Sequence, residues 1–200
     1  MEALVKKFLI APFLIFSSFA AHADGFYGGI LMGQTAIDTG VSAVSGATLD
    51  EDGTGTSFFI GKEVNDQFSI EGFYTDLGEA GLSGDSGDTF VIDATTYQFT
   101  ATAKLAVEAE TIGIAGKMVF DMGENLRGYF KGGLHSWESE VKLSVGTASA
   151  SLLTDGTDIM WGIGSEYIVN EDVSLLVGYD DYTLDDESVS FLHAGILLKF

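Results

Sequence analysis

FLHAGILLKF, residues 191–200, carries the chain to an aromatic last residue. In a strand, successive side chains point to opposite faces. Read that way, Leu192, Ala194, Ile196, Leu198 and Phe200 make one wholly apolar face. Phe191, His193, Gly195, Leu197 and Lys199 make the other, which holds the charge. A soluble domain usually finishes in a polar, frayed tail. A final strand with one uniformly apolar face needs a solvent or a partner for that face.

The same period recurs upstream. Phe68, Ile70, Gly72 and Tyr74 alternate with Ser69, Glu71, Phe73 and Thr75. Ile112, Ile114, Gly116, Met118 and Phe120 alternate with Thr111, Gly113, Ala115, Lys117 and Val119. Ile159, Trp161, Ile163, Ser165 and Tyr167 alternate with Asp158, Met160, Gly162, Gly164 and Glu166. Charge falls on one parity and large apolar residues mostly on the other, the mark of a sheet between two different solvents.

Three tight polar connections separate long alternating runs: Asn65-Asp66-Gln67, Gly123-Glu124-Asn125 and Asn170-Glu171-Asp172. Each is a hairpin signal. The connections between these hairpins are long, at roughly 39–55, 81–108 and 143–156, and rich in Gly, Ser, Thr and acids; the last, Asp185 to Ser188, is short. The spacing predicts eight strands, near 26–37, 56–64, 68–78, 110–122, 126–141, 157–169, 173–184 and 189–200. Short turns on one side and long loops on the other are the layout of an outer-membrane barrel. The expected fold is therefore all-β: an eight-stranded antiparallel up-and-down transmembrane β-barrel, whose eighth strand pairs with the first and leaves no free edge.

Composition narrows the alternatives. The chain has 200 residues, 26 glycines, no cysteine and 46% hydrophobic residues, with 30 acids against 9 Lys and Arg and a formal net charge of −21. A chain this acidic is repelled by a phosphate backbone, which excludes nucleic acid as a partner. Residues 1–23 read as a secretory signal: Lys6 and Lys7 precede the apolar run Phe8 to Ala20, and Ala21-His22-Ala23 is an A-x-A cleavage site. The run is short for a membrane span and contains Pro12, the only proline. The barrel domain then covers 24–200. After residue 23 no apolar stretch is long enough for a spanning helix, so a membrane location requires a closed barrel.

A soluble lipocalin-like barrel would show the same alternation with its faces exchanged. Two features favour lipid on the apolar side. The inner parity is rich in glycine and small residues, which suits a narrow eight-stranded bore. Aromatic residues also sit near the ends of the outer face (Phe26, Tyr74, Phe120, Trp161, Tyr167, Tyr179 and Phe200), as two interfacial girdles would. Lys62 has lipid parity but lies two residues from a turn, where it can snorkel to the rim.

FYGGILMGQ (26–34), FSIEGFYTDLG (68–78), GIAGKMVF (113–120), YFKGGLHSW (129–137) and GIGSEYIV (162–169), together with the terminal Phe200, resemble the small OmpA-like family of eight-stranded outer-membrane barrels over the whole mature chain. The resemblance implies location in the bacterial outer membrane, contact with membrane lipid and lipopolysaccharide, and delivery to the barrel-assembly machinery through the last strand and Phe200. It also implies an interior charge cluster at Glu71, Lys117, Lys131 and Glu166. The family's interior arginine on the seventh strand stands as Leu176 here, which makes the network smaller. These four charges read either as a structural plug of two neutralising pairs or as a gate for ions. Buried charges must be paired, which favours the plug.

No enzyme motif survives weighing. His135 and Ser136 are sequence neighbours, so in a strand they face opposite ways and cannot bond to each other. No third group orients them. His193 reads as a packed interior residue. The acidic runs, Asp50-Glu51-Asp52, Asp85 to Asp88, Asp180-Asp181 and Asp185-Asp186-Glu187, are placed in loops and read as a solvated, self-repelling surface. None has the EF-hand pattern. No cofactor, metal or catalytic residue is expected. Residues 89–107 (TFVIDATTYQFTATAKLAV) form either an extramembrane hairpin suited to a host or envelope partner, or two further membrane strands. The expected function is structural or surface-interactive, with acidic extracellular loops. The alternatives are a narrow porin, a lipid-modifying enzyme and a secreted soluble barrel that binds a ligand inside.

Overall fold

Twelve strands make up the computed structural model, which describes residues 25–92 and 94–200; the expected signal at 1–23 lies outside them. They are β1 (Phe26–Ile37), β2 (Val41–Ser45), β3 (Thr48–Asp50), β4 (Asp52–Asn65), β5 (Phe68–Gly84), β6 (Thr89–Ile92), β7 (Thr95–Gln98), β8 (Ala103–Asp121), β9 (Leu126–Val145), β10 (Ala148–Ile168), β11 (Val173–Leu184) and β12 (Glu187–Lys199). Eight of them close a ring in the order β1-β4-β5-β8-β9-β10-β11-β12, every neighbour antiparallel.

Closure is made by β1 against β12, from Tyr27↔Lys199 to Ile37↔Val189. Phe200 N–H donates to Phe26 C=O at 3.0 Å, so the last residue is tied into the seam. The short turns sit at one end. Asn65 Oδ1 accepts from Gln67 N–H, and Asn170 Oδ1 accepts from Asp172 and Val173 N–H, each at 2.9 Å. These side chains satisfy backbone donors that the ladder leaves free, which is why asparagine sits there.

The two parities separate as expected. Ile112, Ile114, Met118, Ile159, Ile163, Val177 and Leu192 are exposed around the outside. Tyr27, Phe59, Phe73, Tyr129, Trp137, Tyr182 and Phe191 are buried in the bore. The bore is thus not lined by small residues alone; its rings nest against glycines. A Cβ at Gly61 would meet the Tyr27 ring, and one at Gly156 the Trp137 ring. Of the girdle residues, Phe26, Phe120, Trp161 and Tyr167 are exposed, and Trp161 packs on Tyr179 with ring centroids 5.7 Å apart. Lys62 lies over the Phe26 ring, 4.3 Å from its centroid, at the turn end.

The far side differs from expectation. The connection read at 143–156 is not a long loop. β9 and β10 run through it and turn at Gly146, whose φ of +58° favours glycine. Ser and Thr in that stretch look like loop residues, yet their alternation with Val, Leu and Ala serves a strand. β5 and β8 likewise continue through part of the expected loop at 81–108, paired out to Gly84↔Ala103. Residues 89–107 add no strand to the ring. β6 and β7 form a hairpin outside it, joined by β2 into a three-stranded sheet, and the stretch from Ala103 belongs to β8.

The ring is lopsided in consequence. β10 pairs with β9 from Ala148 onward but with β11 only from Met160 onward. The outer parts of β5, β8, β9 and β10 therefore stand as a wall above β11, β12 and β1. One face of this wall carries a row of directly paired carboxylates, Asp76↔Glu110↔Glu138↔Asp155.

Candidate functional site

The charges inside the bore come from strands whose inward parity places them at mid-barrel: Glu71 on β5, Lys117 on β8, Lys131 on β9 and Glu166 on β10. All four are buried. Lys117 Nζ is 3.2 Å from Glu71 Oε1 and 4.0 Å from Glu166 Oε2. It also lies 4.7 Å from the Tyr129 ring centroid and 5.5 Å from that of Tyr27. The Tyr27 hydroxyl donates to Glu71 Oε1 at 2.8 Å and is 2.7 Å from Ser69 Oγ. One ammonium thus serves two carboxylates between two electron-rich rings, a cation–π arrangement that desolvation strengthens.

Lys131 does not complete that group by a direct ion pair. Its Nζ is 2.7 Å from Asp180 Oδ2. Asp180, read in the sequence as part of an acidic loop run, is instead in β11 with its side chain fully buried. His193 on β12 joins it: Nε2 sits 3.3 Å from the same oxygen, an ion-pair separation without hydrogen-bond alignment. The Tyr182 hydroxyl is 3.5 Å from Asp180 Oδ2 and 3.2 Å from Thr75 Oγ1, which in turn contacts Ser57 Oγ at 2.7 Å.

The bore therefore holds three carboxylates, two lysines and His193 rather than two neutralising pairs. The signal for Asp180 was available. Leu176, Gly178, Asp180 and Tyr182 share one parity, and Leu176 is buried opposite Glu166. Adjacent acids at 180 and 181 resemble a loop until that parity is followed. Glycines then make the room. A Cβ at Gly162 would run into the Asp180 carboxylate and the Lys131 stem.

The other acidic runs are also partly strand. Asp50 ends β3 and Asp52 begins β4, with Glu51 Oε1 accepting from the Thr39 hydroxyl at 2.7 Å. Asp85 Oδ1 accepts from the Thr102 hydroxyl at 2.8 Å, and Asp88 Oδ2 from Asp85 N–H at 2.7 Å. These carboxylates organise the backbone locally. No group of His, Asp or Glu among the described residues is spaced to hold a metal ion.

His135 and Ser136 part as their parity requires. His135 points into the bore, its Nδ1 2.6 Å from Thr111 Oγ1 and its Nε2 3.2 Å from Ile159 C=O. Ser136 Oγ donates to Gly156 C=O at 3.2 Å. His193 is interior, in contact with Phe191 at a ring separation of 5.0 Å.

Comparison with known proteins agrees with this architecture. The family model for the outer membrane protein β-barrel domain matches residues 8–200. Among solved structures, the chain is similar to Neisserial surface protein A, with 20% identity, a TM-score of 0.53, and coverage of 90% of this chain and 99% of that one. It is similar to the attachment invasion locus protein Ail of Yersinia pestis, with 18% identity, a TM-score of 0.51, and coverage of 87% and 98%. It is also similar to the outer membrane protein OprG of Pseudomonas aeruginosa, with 12% identity, a TM-score of 0.53, and coverage of 90% and 98%. At these identities the likeness speaks for the fold. Among curated proteins no sequence matches the chain.

Proposed function

The chain belongs to the outer membrane protein β-barrel domain family and lies in the bacterial outer membrane, and from that premise we propose that it is a non-catalytic display barrel: a sealed, charge-locked cylinder that holds an acidic surface outside the cell for contact with host or envelope macromolecules. One observation carries the reading. The wall of β5, β8, β9 and β10 stands beyond the ends of β11, β12 and β1. A barrel whose task ended at the membrane would need no such strands. The bore supports sealing rather than transport, since Phe191, Tyr182 and Leu77 are fully buried within it.

Membrane lipid and lipopolysaccharide are the partners of the outer face. Phe200, tied to the closing seam, is the element through which we assign contact with the barrel-assembly machinery. An Ail structure has been solved with the heparin analogue sucrose octasulfate. A formal charge of −21 makes a polyanion an unfavourable ligand for the present chain.

The test trims the wall. Residues 139–154 are replaced by a two-residue turn joining the paired Glu138 and Asp155, and bacteria carrying either chain are compared for attachment to host cells and for detergent sensitivity of the envelope. Loss of attachment with a barrel that still runs faster unboiled than boiled supports display. Unchanged attachment with a weakened envelope would leave only a structural role.

A further inference from the structure

The wall is amphipathic, and its apolar face leaves large side chains exposed at Leu143 and Leu152. Cross-strand register puts Val107, Val141 and Leu152 in one row and Leu105 and Leu143 in the next. These share the parity that carries His135 and Trp137 into the bore below. The second row is closed where β5 joins it, with Leu82 only 4% exposed, and open further along, with Leu143 44% exposed. Leu152 is 66% exposed at the free edge of β10. Ordinary sheet chemistry would cover such a face with a second layer. β11 and β12 turn back at Asp185–Asp186, so nothing of theirs rises to meet it.

Charge says what would fit. The opposite face carries the carboxylate row Asp76, Glu110, Glu138 and Asp155. The foot of the apolar face meets the tip of the β11–β12 hairpin, where Asp185 N–H donates to Asp158 Oδ2 at 3.4 Å and Asp186 and Glu187 follow. The wall's lysines are engaged, Lys104 with Glu79 and Lys142 with Glu108 and Glu140. A second copy would bring carboxylates against carboxylates. We propose that the open apolar face of the wall docks a basic amphipathic helix of a partner protein, its apolar side on Val141, Leu143 and Leu152 and its Lys and Arg toward the acidic tip. This rests on the display reading and names the partner's chemistry. An amphipathic helix laid on an apolar surface is a recurrent recognition mode, and like-charge exclusion supplies the selectivity.

The chain has no cysteine, so single labels are available. Ala150→Cys places an environment-sensitive dye on the apolar side and Ser151→Cys places one on the other. The full barrel, in phosphatidylcholine nanodiscs, is titrated with an 18-residue Leu/Lys amphipathic peptide and with its Leu/Glu counterpart. The expected result is a saturable blue shift at position 150 with the Lys peptide only, weakened by salt. The double variant Leu143→Ser, Leu152→Ser, both exposed and therefore dispensable for folding, should weaken binding by about tenfold or more. Equal response at 151, equal binding of the Glu peptide, or no saturable binding overturns the proposal. Energy transfer between separately labelled barrels without peptide also overturns it, in favour of a second copy. If the peptide fails while trimming the wall still abolishes attachment, the display reading stands and only the helix is wrong. If trimming changes nothing, the display reading itself falls.

Discussion

Lys117 carries the heaviest electrostatic load in the bore, because Glu71 and Glu166 both depend on it. Removing one partner of a buried ion group leaves the other charged and unpaired, which costs about 3–5 kcal/mol. Lys117→Met should therefore lower the urea midpoint of the refolded barrel sharply. Adding Glu71→Gln to that variant should recover part of the loss, since one stranded carboxylate becomes neutral. If the single variant unfolds at the parental midpoint, the cluster is not what locks the bore. Asp180→Asn is the parallel test of the second group, where Lys131 would lose its carboxylate. Its cost should add to that of Lys117→Met only as far as the two groups are independent. The second effect would be missed by anyone who counted Asp180 as a loop acid. Its neighbour Asp181 accepts from the Ser188 hydroxyl at 2.7 Å, so adjacent residues have opposite fates because a strand has period two.

At the scale of elements, the wall holds like charges in direct register. Opposed like charges on a sheet face are destabilising, and an opposite pair contributes roughly 0.2–1 kcal/mol. Glu138 lies between Glu110 and Asp155 in that row. Glu138→Lys should slow hydrogen exchange of the β8–β10 amides outside the membrane, and the gain should shrink in high salt. Unchanged exchange at low salt would mean the carboxylates do not feel one another. The β11–β12 turn offers a second test. Asp185 and Asp186 both have positive φ, at 50° and 73°. Two such residues in a two-residue hairpin turn are the geometry that Asn-Gly favours. Asp185→Asn with Asp186→Gly should raise the free energy of unfolding modestly, by under about 1–2 kcal/mol, the scale of left-handed strain in a residue with a side chain, and urea titration of the two chains measures it.

For the molecule as a whole, closure and filling lead to two expectations. A closed membrane barrel resists cold detergent, so the unboiled protein should run faster on a gel than the boiled one. A chain recovered from the soluble fraction without such a shift would mean that the apolar face is buried in something other than lipid. Tyr182 and Phe191 lie buried in the bore of a narrow eight-stranded barrel, so planar bilayers should show no steady single-channel conductance. Steps that vanish in a charge variant such as Glu71→Gln would return the cluster to a gating role.

The sequence by itself determined the strand count of the ring, the turn end and the two faces of the strands at 68–75, 111–120, 158–167 and 191–200. All of these are local. A strand's side chains alternate whatever it pairs with, and a hairpin turn is written in three or four adjacent residues. Two things needed the tertiary structure. The first is which charge meets which. Lys131 faces Asp180 on a strand two places away around the ring, and that contact depends on register and on the space left by Gly162. The second is the height of the wall. Ser, Thr and Gly at 143–156 read as loop until β9 and β10 pair through them, because propensity is a weak signal beside a ladder of neighbours. Where the strands end was decided by their partners, and the open face above β11 and β12 exists only because those partners stop first.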